Sequence, residues 1–279
     1  MIIFKSPSSL NNYLIKKKSI GKTIGFVPTM GALHQGHISL IDTAKKANHI
    51  TVGSIFVNPT QFTNTVDYEK YPITTDQDIN LLEACGCDIL FLPSKAEVYP
   101  KDHHIIHYDL GDLENVLEGK YRPGHFQGVS QVVHRLLEIV IPHDLYVGQK
   151  DYQQCMVIKR LVELTGLHVN VHIQHTVREN DGLAMSSRNL RLNSTERNEA
   201  IKIYEALNMV KEEIFPGELN NLKNKAVTFL TENKFKVDYV EIADAHTLKL
   251  MDHWDGKREV VILVAAYLNE IRLIDNMVL

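Results

Sequence analysis

Gly25-Phe26-Val27-Pro28-Thr29-Met30-Gly31-Ala32-Leu33-His34-Gln35-Gly36-His37 reads as the end of a buried strand, a glycine-bearing loop and the start of a helix. The run 23–27 predicts a strand that stops at Pro28. Ile38, Ile41 and Ala44 fall at helical spacing in a segment over 36–48. Amides left free at a helix start favour anions. His34 and His37 lie three apart, on one helical face. Gly36 between them admits a phosphate close to the backbone. The two imidazoles can donate to phosphoryl oxygens as charge develops. Surface histidines at a helix start and a zinc pair are the competing readings. Zinc pairs on helices ordinarily enclose a glutamate, and none stands between these two.

On the N-terminal side, Ile2, Ile3 and Phe4 form a short apolar start, and Ser6-Pro7-Ser8-Ser9 caps a helix running to Lys18. On the C-terminal side, strand and helix patterns alternate. A strand over 50–57 is closed by Asn58-Pro59, and helix 76–84 leads to strand 88–92. Helix 131–141 leads to strand 145–147, and helix 151–165 ends at Gly166 before the strictly alternating 167–174. That order predicts an α/β fold with a parallel sheet covered on both faces. Ligands in such sheets bind beyond the carboxyl ends of the strands. After 176 the pattern changes to helices over 195–214 and 218–233, then strands over 237–243, 260–266 and 271–274. This predicts a smaller α+β unit, so the domains are expected at 1–176 and 177–279.

The composition suits such a two-domain chain: 279 residues, 44% hydrophobic and 23% charged. A net charge of −4 argues against a nucleic-acid surface, which needs a clustered basic face. Lys16-Lys17-Lys18 ends a predicted helix, where cations complement the dipole. Cys85, Cys87 and Cys155 make no disulfide framework and no zinc set. The N-terminus lacks a signal-peptide pattern, and no apolar run reaches the roughly 20 residues that span a bilayer. A cytoplasmic protein without a membrane partner is expected.

Two further segments carry phosphate chemistry. Gly182-Leu183-Ala184-Met185-Ser186-Ser187-Arg188-Asn189 puts two hydroxyls and a guanidinium in one loop, able to hold a triphosphate; a merely solvated loop is the alternative. Gly148-Gln149-Lys150-Asp151 follows a predicted strand. The glycine permits close approach, Lys150 supplies positive charge and Asp151 can accept from ribose hydroxyls; Asp151 as a helix cap is the alternative. His103, His104 and His107 form a polar cluster without carboxylate or cysteine partners at ligand spacing, expected to be exposed. His168 and His172 fit a polar sheet face.

These segments occur in an order and at separations that resemble the pantothenate synthetase (pantoate–β-alanine ligase) family, in the nucleotidylyl transferase superfamily with its His-x-Gly-His signature. The likeness covers essentially the whole chain. It includes Phe56-Val57-Asn58-Pro59-Thr60-Gln61-Phe62, Tyr71-Pro72 with Asp76, Arg122-Pro123-Gly124-His125-Phe126-Gln127-Gly128-Val129 and Lys150-Asp151-Tyr152-Gln153-Gln154. The resemblance implies a Rossmann-like N-terminal domain, a hinged C-terminal lid, a homodimer, and ATP with Mg2+. It implies that Met30, Gly31, Ala32, Leu33, His34, Gln35, Gly36 and His37 line the ATP site, with His37 catalytic. It gives Gly148, Gln149, Lys150 and Asp151 to the ribose and phosphates. The Val177 backbone, Met185, Ser186, Ser187 and Arg188 would complete the nucleotide site. Gln61 and Gln154 would hold pantoate, with Gln61 also near β-alanine. Neutral amides suit a substrate with two hydroxyls and a nucleophilic carboxylate. A surface position accounts for Gln153, and pairing with Glu118 for Arg122. Asp76 is a candidate for magnesium contact, with the metal ligands otherwise unassigned.

The implied chemistry has two halves. A pantoate carboxylate oxygen attacks the α-phosphorus of ATP, with His34, His37, Lys150, Ser186, Ser187 and Arg188 spreading the charge. The amine of β-alanine then attacks the acyl carbon and AMP leaves. A nucleotidylyl transferase acting on a phosphorylated substrate would use the same histidine motif, and a non-catalytic nucleotide-binding module would bind ATP without turnover. No basic appendage suggests a tRNA-charging enzyme.

Overall fold

A computed structural model describes residues 1–102 and 104–279; His103 lies outside the described residues, and His104 and His107 are exposed. The chain forms two compact units. One comprises Met1–Gly148 and Gln154–His175, the other Gln149–Gln153 and Thr176–Leu279.

The first unit is built on six strands: β1 (Ile2–Phe4), β2 (Ile24–Thr29), β3 (Ile50–Ile55), β4 (Ile89–Phe91), β5 (Asp144–Gly148) and β6 (Asn170–Gln174). They lie in the order β1-β4-β3-β2-β5-β6, and every pairing is parallel. The Rossmann-like sheet expected from the sequence is therefore present. All six residues of β3 are buried, as a central strand with both faces covered requires. On one face, Phe26, Val52 and Leu145 pack with Val133 and Leu137 of the helix His125–Val140. On the other, Val27, Leu90 and Tyr146 pack with Leu40 and Ile41 of the helix Gln35–Ala47. Strand order reverses at β2 and β5, and the crevice beyond their carboxyl ends is where such sheets bind ligands.

Local chemistry accounts for most boundaries. Ser6 caps the helix Pro7–Lys18, accepting from the Ser9 amide, and the three lysines occupy its last turn. The strand expected to stop at Pro28 continues to Thr29. Residues 24, 26 and 28 direct their backbone groups toward β5, and that pairing ends at Phe26, so the missing N–H of Pro28 leaves no ladder bond unmade. The helix expected over 131–141 begins at His125, because Gly124 takes a left-handed conformation (φ 82°) and turns the chain into it. Cys87 and Cys155 are buried and all three cysteines are free; burial pushes the Cys87 thiol up to about 12.

The second unit carries an antiparallel sheet of β8 (Phe235–Asp244), β10 (Val260–Leu268) and β11 (Ile271–Val278) in the order β11-β10-β8. Leu207 and Val210 of the helix Lys202–Glu213 and Leu230 of the helix Asn220–Glu232 pack against Ile242, Val264 and Leu273. A short pair, β7 (Gly217–Glu218) with β9 (His253–Trp254), carries no signal in the sequence. The single helix expected over 195–214 is two, Ser194–Glu199 and Lys202–Glu213. The intervening Ala200 and Ile201 keep right-handed helical angles, and a bond from the Ile203 amide to the Ala200 carbonyl (3.3 Å) tightens the turn. Among the described residues no helix is long and apolar enough to cross a membrane.

Candidate active site

The histidine loop leaves the carboxyl end of β2. Gly31 (φ 82°) and Ala32 (φ 48°) are consecutively left-handed, which turns the Ala32 and Leu33 amides inward. Both donate to Asp78, to Oδ2 at 2.9 Å and Oδ1 at 2.8 Å, and Thr74 Oγ1 donates to the same carboxylate at 3.1 Å. Asp78 is only 1% exposed, so this loop is anchored by a buried carboxylate some 45 residues away in sequence. A side chain at position 31 would put its Cβ 3.0 Å from Asp78 Oδ2, which keeps that position small.

The two histidines cap one another's backbone. The Gly36 amide donates to His34 Nδ1 (3.2 Å), the His34 amide donates to His37 Nδ1 (3.3 Å), and the ring centroids lie 4.1 Å apart. A nitrogen that accepts a hydrogen bond carries a lone pair, so each neutral ring holds its proton on Nε2. Both histidines thus present an Nε2–H donor. The amides of Gly31, Ala32, Leu33, His34, Gly36 and His37 all donate within the loop or to Asp78. The expectation of free helix-start amides is therefore revised. These six are committed to the protein, and the imidazoles are among the donors the loop can offer an anion at that end.

Gln61 ends a 3-10 turn after β3 and is buried. Asn58, 1% exposed, organises the turn. Its Oδ1 accepts from the Thr60 amide and hydroxyl and from the Tyr99 hydroxyl; its Nδ2 donates to Gln61 Oε1 (3.0 Å) and to the Gly128 carbonyl (3.2 Å). The bond from Asn58 fixes which end of the Gln61 carboxamide is oxygen. Its Nε2 then points to Met30 Sδ at 3.3 Å, which brings Gln61 beside the histidine loop. From behind, the Gln61 carbonyl accepts from His125 Nδ1 (2.7 Å), and His125 Nε2 faces Arg122 at 3.3 Å. Arg122 in turn pairs with Glu118 at 3.6 Å, as expected from sequence. Gln153, expected at the surface, is 3% exposed, because it lies on the buried side of the helix Tyr152–Thr165; Gln154 beside it is half-buried. Asp76 is exposed in the first turn of the helix Thr75–Ala84, whereas Asp78, which the motif reading does not single out, lies on its buried side.

The other proposed phosphate-binding residues belong to the second unit, apart from Gly148, which closes β5. Gln149, Lys150 and Asp151 form a 3-10 turn, with Lys150 Nζ 3.8 Å from Asp151 Oδ1 and Asp151 itself exposed. Asn276 of β11, 2% exposed, donates through Nδ2 to the carbonyls of Gln149 (2.9 Å) and Lys150 (2.8 Å) and accepts from Gln149 Nε2 (3.3 Å). Residues 177–185 fold back on themselves: the Met185 amide donates to the Val177 carbonyl (3.0 Å) and Arg178 bridges Ala184. Ser186 then caps the 3-10 turn Ser187–Arg191 by accepting from the Arg188 amide.

Arg178 fastens this hairpin to β11 by a two-point pair with Asp275 (2.6 and 3.0 Å) and stacks its guanidinium over Tyr204 at 4.5 Å. Burial pushes the Asp275 carboxyl up, and Arg178 opposes that shift. Arg197 holds the hairpin tip through Asp181 and Glu179, each at 2.7 Å. Among the described residues there is no group of three or more His, Cys, Asp or Glu able to hold a metal.

A family model described as pantoate-beta-alanine ligase matches residues 2–278. Pantothenate synthetase of Cytophaga hutchinsonii is 42% identical over 282 residues, covering 100% of this chain and 99% of that protein. Its counterpart in Fervidobacterium nodosum is 46% identical over 261 residues, 93% of this chain and 92% of that one. Among solved structures, pantothenate synthetase from Thermus thermophilus superimposes with a TM-score of 0.91 at 38% identity, covering 99% of both chains. The pantoate-beta-alanine ligase of Francisella tularensis, solved in complex with beta-gamma ATP and beta-alanine, gives a TM-score of 0.83 at 40% identity over 99% of this chain and 97% of that one.

Proposed function

The chain belongs to the pantoate-β-alanine ligase family, and on that premise we infer that it is an ATP-dependent carbon–nitrogen ligase. It joins pantoate to β-alanine as pantothenate, through a pantoyl adenylate, and releases AMP and pyrophosphate. In the first half-reaction a pantoate carboxylate oxygen attacks the α-phosphorus in line and pyrophosphate leaves. In the second the β-alanine amine attacks the acyl carbon, and AMP takes the bonding electrons.

The observation that best supports the site assignment is the mutual capping of the histidine pair. Both Nδ1 atoms accept from backbone amides, so both Nε2–H groups are directed donors held before substrate arrives. In this reading His34 and His37 donate to the phosphates, with His37 nearest the reacting phosphorus. Met30, Gly31, Ala32, Leu33, Gln35 and Gly36 shape the nucleotide's berth. Gly148, Gln149, Lys150 and Asp151 meet ribose and phosphates, while Lys150, Ser186, Ser187 and Arg188 take up the developing charge. The Val177 backbone and Met185 complete the nucleotide site.

Gln61 and Gln154 bind pantoate, Gln61 also meeting β-alanine. The fixed Gln61 carboxamide offers a neutral donor that does not repel the attacking carboxylate. Excluding water from the adenylate is the role assigned to residues 177–279. Asp76 alone is too little to build a magnesium cage, so the ion is proposed to enter on the ATP phosphates, supplying charge neutralisation there. The working form is proposed to be a cytoplasmic homodimer.

The test is product analysis. The purified chain, given ATP, magnesium and pantoate, should form AMP and pantothenate only when β-alanine is added. Pyrophosphate release with no β-alanine-dependent AMP would identify a nucleotidylyl transferase instead.

A further inference from the structure

We propose that Asn276 is a positioning residue for Lys150, and that the adjacent pair Asp275-Asn276 sets the two phosphate-binding segments of the second unit relative to each other. The inference rests on the reading above that Lys150 meets the phosphates of ATP. Neither residue carries a signal in the sequence, and neither belongs to the loops that reading uses.

Successive residues of a strand point to opposite faces. Asp275 shares a face with Ile271 and Leu273, which pack in the helix-covered core; Asn276 points the other way. On the core face Asp275 takes the two-point bond from Arg178, and Arg178 also donates to the Asn276 carbonyl (3.2 Å) and the Gly182 carbonyl (3.0 Å). That face therefore holds the hairpin leading to Met185, Ser186, Ser187 and Arg188. On the opposite face the Asn276 carboxamide takes the turn that carries Lys150. One strand step thus separates the anchor of one segment from the anchor of the other.

The chemistry of the Asn276 contacts argues for a specific role over general packing. One NH2 group donates to two consecutive backbone carbonyls, at 2.9 and 2.8 Å, which requires a nitrogen with at least two N–H bonds. Its oxygen is turned away by the bond from Gln149 Nε2, which fixes the flip of the amide. The side chain is 2% exposed, so water cannot readily replace these bonds. Two carbonyls held in succession fix the backbone at Lys150 and hence the origin of its side chain.

The test uses the full-length enzyme with ATP varied at saturating pantoate and β-alanine, and four variants: Asn276→Ala, Lys150→Ala, the double variant, and Gln149→Ala. Asn276→Ala is expected to lower kcat/KM for ATP by about 10- to 100-fold, the cost of misplacing a binding group by about an ångström. The KM for β-alanine should stay unchanged. In the Lys150→Ala background the same substitution should add almost nothing, because it acts through a side chain already gone. Gln149→Ala leaves the strand intact and frees the amide to flip. Its expected loss in the same parameter is about threefold to tenfold, the worth of one hydrogen bond, and should vanish in the Lys150→Ala background, which separates a freed Asn276 amide from any direct contact of Gln149 with the nucleotide; it carries the test if Asn276→Ala does not fold.

Wild-type kcat/KM for ATP in Asn276→Ala, or in Gln149→Ala should that be the only folded variant, overturns the proposal. So does a loss that multiplies in full on Lys150→Ala. Failure of the underlying reading looks different: Lys150→Ala itself would turn over ATP at the wild-type rate, which removes the ground for a positioning role as well.

Discussion

The histidine loop of the first unit and the lysine–arginine region of the second are both proposed to meet ATP, yet they are built on opposite plans. His34 and His37 are fixed by bonds spanning two and three residues, with one distant carboxylate beneath them. The turn that carries Lys150 and the hairpin at 177–185, which leads on to Ser186–Arg188, are tied by side-chain bonds to β11, with partners up to 127 residues away. A site closed within one turn can be recognised from spacing alone. A site gathered by tertiary bonds shows its reactive groups in the sequence but hides what holds them.

Replacing a histidine should give the largest effect and tests the local plan directly. His37→Ala removes one preorganised donor and the acceptor that caps the His34 amide. Losing a comparable donor elsewhere costs about 10²–10³ in kcat. Steady-state AMP formation should fall by that order while the fold survives. Near wild-type turnover would mean that the capped pair is structural and that charge is stabilised elsewhere.

Asp78→Asn comes next, and it probes the one long-range element of the local plan. The substitution keeps the shape but points an NH2 at an amide that needs an acceptor, Ala32 or Leu33. An unmet buried donor of this kind costs about 1–3 kcal/mol. Urea denaturation should register that loss, and kcat should fall with it if the loop is what holds the imidazoles. A stable protein with reduced kcat would place the damage in the loop alone.

What could be read from the sequence follows the same division. The alternation of strands and helices, the buried β2 and β3 and the histidine pair all depend on patterns within about a dozen residues. Resemblance identifies Gln61, but not the Asn58 contact, which depends on side-chain orientation within the turn, nor the His125 contact, which joins residues 64 positions apart. Asp76 draws attention in the sequence and is exposed, whereas Asp78 holds the loop. A signal exists, since Asp78 and Leu82 share the buried stripe of their helix. An acid at an apolar position on such a stripe is a request for partners. No comparable clue marks Asn276, whose partners lie 126 and 127 residues away.

Gly128→Ala comes third. A Cβ there would sit 2.3 Å from the Thr60 carbonyl oxygen and 2.8 Å from Gln61 Cα, so the helix His125–Val140 or the Gln61 turn must move. Overpacking of this kind costs about 1–3 kcal/mol. Because the crowding falls on the Gln61 turn that is proposed to bind pantoate, KM for pantoate should rise while KM for ATP stays near wild type. A rise in both would show that the Gln61 turn and the histidine loop move as one body through the Met30 contact.

The smallest effect is expected at the tip of the second unit's hairpin, and here pH separates the two plans. Hydrogen bonding from Arg197 holds the Asp181 carboxyl below the usual carboxylate range. A depressed folded value stabilises the protein above the ordinary aspartate pKa of about 3.9, and the contribution is lost as pH falls through the folded value. Arg197→Ala should therefore lower stability at pH 7 by only about 0.2–1 kcal/mol for each of its two partly exposed pairs. The gap between variant and wild type should close in thermal melts taken progressively below about pH 4, and shrink in high salt. An Asp78→Asn defect, buried and within one packed unit, should resist salt at pH 7. If the Arg197→Ala gap instead persists unchanged into acid, the guanidinium holds the hairpin by packing and hydrogen bonds to neutral groups, and the second region is less dependent on charge than its contacts imply.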